Sequence, residues 1–479
     1  MRVEEVNTLP LRPEAGTNDI NSVLLPVIDS WFAYRRTPTP VYMFRDQGDS
    51  ATIQSRLYLS LCRALNKFPQ LLANLEPASI TLADGTSLKR VRACWGGELS
   101  KGQYVEARTN ARIQALLPPS IITKNATYLW NRSNKSLHSL FPQTMPSHSG
   151  LRVQVTTFRC GGFSIVLDLE HALADAHAVG LLLRHWTATF NEMYYAADRT
   201  RPELPEIIPG QEIVPKDIID SAALLHKANS LPTRRPDCND AGDAPFSSSE
   251  DTKSSPGYKP NGNAHLLHLT AQDYDRISRE VRLGDAQVTD KIAFMTFLWD
   301  AVNRARSRNS LNPIGLTVVK CYRSVLNLPE GMIGCPIVAV NEEVGDGDTS
   351  ERASRVRALM DLYDEQAFRS IAYDASRRDS PTSSARSGRR RQRVEFTAGM
   401  DDRSSSALHF GQHSPIFCAP IFIPVDYLFI MAESYEKGEG AEAKWHRSGV
   451  DVFFCLPPQI LNDMLLDSHL SCAEVIQDV

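Results

Sequence analysis

His171 and Asp175 stand four residues apart in the stretch QVTTFRCGGFSIVLDLEHALADAHAVGLLLRHW, residues 154–186. The alternating apolar residues Phe163, Ile165, Leu167 and Leu169 predict a strand with one buried face, and a helical pattern starts a few residues later. The histidine therefore falls where a strand gives way to a helix. Regular structure on both sides holds the backbone there, while the side chain can project into a cleft. Imidazole titrates near neutrality and suits general base catalysis, with the carboxylate free to hold an orienting partner. The plainer reading is a helical pair worth about 0.2–0.5 kcal/mol. The choice between the two rests on the surrounding pattern.

That pattern resembles the BAHD family of CoA-dependent acyltransferases, whose signature is a strand ending in His-x-x-x-Asp followed by a helix. Gln154, Thr156, Phe158, Cys160, Gly161 and Gly162 precede the strand as in that family, and Trp186 closes the helix. Ala176 replaces the usual glycine after the aspartate. Further on, Arg323, Ser324, Pro329 and Gly334 are similar to the family's second-domain pattern, with Cys335 where asparagine is usual. Near the C-terminus, His409-Phe410-Gly411-Gln412-His413 and then Ser414-Pro415 align with the family's Asp-Phe-Gly-Trp-Gly element, of which only Phe410, Gly411 and the trailing proline match. The missing carboxylate removes a charge-assisted hydrogen bond worth about 1.5–3 kcal/mol.

The resemblance implies an α/β fold of mixed sheets, two chloramphenicol acetyltransferase-like domains with the active-site channel between them. It implies direct transfer in a ternary complex. His171 is the general base, and Asp175 faces away from substrate to pair with Arg323, the structural support. The donor is acyl-CoA, acetyl-CoA in the simplest case, with no permanently bound cofactor and no metal. Phe410 and Gly411 are the expected coenzyme-contacting residues. The eroded C-terminal element and polar insertions look like the divergent fungal secondary-metabolism branch, similar to trichothecene O-acetyltransferase, so the acceptor is expected to be a small alcohol. Two alternatives stand beside this. A free-standing condensation-like enzyme would use a carrier-bound donor, but its usual second histidine is replaced by Glu170. A degenerate homologue would bind metabolite or CoA without turnover.

Composition agrees with a large soluble enzyme. The chain of 479 residues exceeds one ordinary core, and its net charge of -4 gives no reason to expect nucleic acid or an anionic membrane as partner. The start MRVEEVNTLP lacks a secretory pattern, and no run approaches the ~18 apolar residues of a membrane helix. The nine cysteines form no C-x-x-C pair, which argues against a zinc site or a disulfide framework. A cytoplasmic monomer is expected, and the sequons at Asn125, Asn131 and Asn134 are read as chance.

The expected division is an N-terminal half at 1–201, a crossover at 202–262 and a C-terminal half at 263–479 with a mobile basic insertion near 376–393. In the first half, a strand is predicted over 41–44. A helix should bury Ile53, Leu57, Leu61, Leu65 and Phe68, and Asp84-Gly85 should turn a hairpin. In the second, HLLHLT is a strand, Thr289 caps a long helix, 315–329 opens as a strand, 419–431 reads as one strand-like run, and a final strand and helix follow. His177 and His185 read as surface or packing residues, His413 lies near the expected CoA channel, and Ser404–Ser406 cannot be singled out as oxyanion donors.

Overall fold

The computed structural model describes residues 1–15, 19–37, 40–46, 50–82, 84–99, 102–117, 126–129, 131–142, 150–195, 204–210, 221–234, 263–378, 392–398, 408–420, 425–433, 449–467, 470 and 474–476. Most of the basic insertion (379–391), much of the crossover and Ser404–Ser406 lie outside them.

Two mixed sheets carry the α/β fold. The first has, among the described residues, six strands in the order Glu4–Leu11, Gly102–Thr109, Arg152–Phe158, Phe163–Asp168, Pro40–Phe44 and Pro415–Pro420, the second and third parallel and the other neighbours antiparallel. The second has nine among the described residues: Thr233–Arg234, Ile337–Glu342, Gly315–Cys321, Arg393–Ala398, Leu428–Glu433, Val450–Leu456, Asn263–Leu269, Ala126–Leu129 and Glu474–Ile476. Two strands cross the division expected from the sequence. Ala126–Leu129 pairs with Asn263–Leu269 in the second sheet, and Pro415–Pro420 pairs with Pro40–Phe44 in the first. The run 419–431 is accordingly not one strand but the end of one and the start of another, each in a different sheet.

Periodicity explains the local elements. The helix Ser50–Ala64 lays Ile53, Leu57 and Leu61 against the first sheet, and the helix Ala176–Tyr195 adds Leu181, Leu182, Trp186 and Phe190 to the same core. Full burial of each such side chain stabilises by about 1.5–3 kcal/mol. Thr289 caps the helix Asp290–Arg308 by accepting from the Ile292 amide, and Gly85, at φ +83°, turns the hairpin Asn74–Thr81 to Ser87–Trp95.

The strand Phe163–Asp168 differs from expectation, because both faces are buried. Phe163, Ile165 and Leu167 meet the helices, while Val166 joins Val41, Met43 and Phe417 in an apolar layer shared with Leu266, Ile430 and Phe453 of the second sheet. Alternation in sequence marks one apolar face; it does not show that a second sheet covers the other. That layer brings the two halves together beside the end of the strand.

Candidate active site

The backbone around His171 is held by a short segment, Arg35–Thr37, that runs beside it. The His171 amide donates to Arg35 O at 2.7 Å, the Thr37 amide to Leu169 O at 2.8 Å, and the Thr37 hydroxyl to Ala174 O at 2.7 Å. Arg36 donates from Nε to Asp168 Oδ1 at 2.6 Å and from Nη1 to Glu170 Oε1 at 3.2 Å. Glu170 is buried, and that desolvation pushes its carboxyl up to about 7 against the pull of Arg36. The residue before the histidine is thus tied to Arg36, on a segment about 130 residues earlier in the chain.

Asp175 stands immediately before the helix Ala176–Tyr195 and caps it, its Oδ1 accepting from the Ala178 amide at 3.1 Å. Ala176 takes the first helical position without positive φ, so the glycine of the related pattern is not required by backbone conformation. Both carboxylate oxygens of Asp175 also face Arg323, from Nη1 at 2.5 Å and from Nη2 at 3.0 Å. The pair is buried, at 5% and 8% exposure. Desolvation works against the Arg323 charge, but Asp175 more than offsets it and raises the guanidinium pKa. Arg323 reaches back to Gly334 O at 3.2 Å, and Gly334 O also accepts from the Asp175 amide at 3.1 Å. The ion pair therefore fastens the turn around Gly334 to the residue that caps the motif helix.

The His171 ring packs on Phe32, with centroids 4.8 Å apart, and its Nδ1 lies 3.3 Å from Cys335 Sγ. The ring's own backbone and the Asp175 carboxylate favour its charged form. Desolvation nevertheless dominates and lowers the pKa to about 4. Such a base is unprotonated, and competent, from about pH 5 upward. The acidic limb of a kcat/KM profile should therefore fall near pH 4 instead of near the 6.5 of an unperturbed imidazole; a limb at 6.5 would show that the ring is not desolvated in this way. The same shift has a stability consequence: with the folded pKa below the unfolded one, the contribution of His171 is lost as pH falls from 6.5 towards 4.

The C-terminal element does something else. Phe410 is fully buried against Phe44, Trp186 and Phe190, and offers a coenzyme no surface. Asn191 on the motif helix clamps its turn, donating to His409 O at 2.8 Å and accepting from the Gly411 amide at 2.7 Å. This amide clamp holds the element from which the missing carboxylate removes a charge-assisted latch. His413 is likewise buried, edge-on to Phe163. His177 contacts Glu330 O at 2.8 Å, and His185 packs on Phe68. Phe32, Arg36, Thr37 and Asn191 escaped the sequence reading. None lies at a spacing from His171 that a local pattern could mark.

This architecture is that of a transferase. Residues 103–343 match the family model described as the Transferase family. The chain is 40% identical over 504 aligned residues to acyltransferase abl6 of Leptosphaeria maculans, covering 100% of both chains. The crystal structure of vinorine synthase shares the fold with a TM-score of 0.62 at 15% identity, covering 98% of each chain. That of TRI101 from F. graminearum, complexed with coenzyme A and T-2 mycotoxin, gives 0.64 at 13% identity, covering 94% of this chain and 98% of that one. The chain belongs to the BAHD transferase family and is an acyltransferase. Among the described residues, no helix is long and apolar enough to cross a membrane.

Proposed function

We propose that the chain transfers an acyl group, acetyl in the simplest case, from acyl-CoA to a hydroxyl of a small secondary metabolite, by direct transfer in a ternary complex with His171 as general base. The observation that carries this reading is the asymmetry of the His171 ring. Nδ1 lies 3.3 Å from Cys335 Sγ, whereas Nε2 has no protein hydrogen-bond partner among the described residues. A ring protonated at Nδ1 and neutral overall presents its lone pair at Nε2.

Nε2 takes the proton as the acceptor oxygen attacks the thioester carbonyl. The carbon–sulfur bond then breaks, and the thiolate leaves with the proton returned from His171. Asp175 and Arg323 take no proton; they hold the strand–helix junction at the working distance. The ligands named with TRI101, coenzyme A and T-2 mycotoxin, support a CoA donor and a hydroxylated acceptor of natural-product size.

The test is thiol release from acetyl-CoA and longer acyl-CoAs with a panel of hydroxylated metabolites. The expected result is release that requires the acceptor and yields its ester. Transfer from a carrier-bound acyl group with none from acyl-CoA would sink the proposal.

A further inference from the structure

We propose that Cys335 is the positioning residue of the base: its thiol sulfur accepts from Nδ1–H of His171 and so leaves the lone pair on Nε2. The inference rests on the general-base reading above and deepens it. Free histidine side chains favour the opposite tautomer, with the proton on Nε2, so a neutral base that works through Nε2 needs acceptors on its Nδ1 side. Cys335 Sγ, 3.3 Å from Nδ1, is placed to be one.

The delivery of that sulfur is built into the fold. Gly334 adopts φ +126°, and a Cβ there would lie 2.5 Å from Asp29 Oδ2, so the turn before Cys335 takes glycine alone. Its carbonyl receives both the Asp175 amide and Arg323 Nη2, at 3.1 and 3.2 Å. The ion pair that caps the motif helix is thereby the same device that sets the thiol against the ring. Asp175 thus reaches His171 through the second half of the chain as well as by its charge, which favours the protonated ring.

Cys335 is not suited to be a nucleophile, although it lies beside a histidine. The residue is fully buried, and burial together with the nearby Asp175 and Asp29 carboxylates pushes its pKa well above that of an ordinary thiol. A thiolate would draw a proton onto the ring and extinguish the base. A neutral thiol can accept from Nδ1–H and leave Nε2 free.

The experiment compares Cys335→Ser with Cys335→Ala, two substitutions that both shrink the side chain and differ in one hydroxyl. Expected for Cys335→Ala is a fall in kcat of about tenfold, the low end of what losing a ring-orienting partner costs an imidazole, with KM for both substrates unchanged. Cys335→Ser should stay within about threefold of the parent, since its hydroxyl accepts from Nδ1–H. The imidazole 15N shifts, read without turnover, should show Nδ1–H in the parent and the serine variant and a move towards Nε2–H in the alanine variant. Equal activity in all three chains with unchanged 15N shifts overturns the proposal. So does equal loss in both variants together with an acyl thioester trapped on Cys335 of the parent chain, which would make it the nucleophile. A tautomer change in the absence of turnover by any of the three would keep the positioning role and remove the acyltransfer reading instead.

Discussion

His171→Ala is expected to turn over at least about a hundredfold more slowly than the parent, in line with the 10²–10⁴ that a positioned general base contributes. The fold should survive the change. What holds this position does not involve the ring: the His171 amide on Arg35 O, the Thr37 amide on Leu169 O and the Thr37 hydroxyl on Ala174 O. The ring adds a contact with Phe32 and the approach to Cys335, neither of which supports another element of the core. Circular dichroism and the unfolding midpoint should therefore match the parent closely while ester formation collapses. Unchanged turnover in a folded His171→Ala chain would assign the base elsewhere.

The second large effect is on stability. Asp175→Ala leaves the Arg323 guanidinium buried without its carboxylate, and breaking a buried pair from one side costs about 3–5 kcal/mol. Loss of the helix cap on the Ala178 amide acts in the same direction, at about 1 kcal/mol. The unfolding midpoint should drop steeply, and activity with it, because the guanidinium that also holds Gly334 O loses the carboxylate that orients it. The double variant Asp175→Ala, Arg323→Met should recover part of the stability, since no lone charge remains buried. Equal stability of the parent and the Asp175→Ala chain would show that the pair is a surface-like contact of little worth, contrary to its burial.

Much of the local structure was readable from residue spacing. The strand at 163–168, the helix after it, the helix following Thr289 and the hairpin at Gly85 each follow from a period or a turn residue, because side-chain alternation and capping act within a few residues. The resemblance pointed to the partnership of Asp175 and Arg323, which no spacing could have done. The C-terminal element was harder. Phe410 and Gly411 were expected at the coenzyme, yet Phe410 fills the core and Asn191, more than two hundred residues earlier, supplies the clamp. A hydrogen bond between an amide side chain and a distant turn leaves no periodic trace.

The sequence by itself determined that a histidine sits at a strand–helix junction with a carboxylate at the helix start, since both consequences arise within one turn of the backbone. Only the tertiary structure decided which sheet receives the strands Ala126–Leu129 and Pro415–Pro420, because a strand's apolar face is the same whichever edge it joins. It also decided that Arg36 binds the residue before the base, and that Asp175 and Cys335 reach the site through one glycine turn. Those contacts join residues more than a hundred positions apart, and their distances are set by how two cores pack against a shared layer, a property of the folded whole.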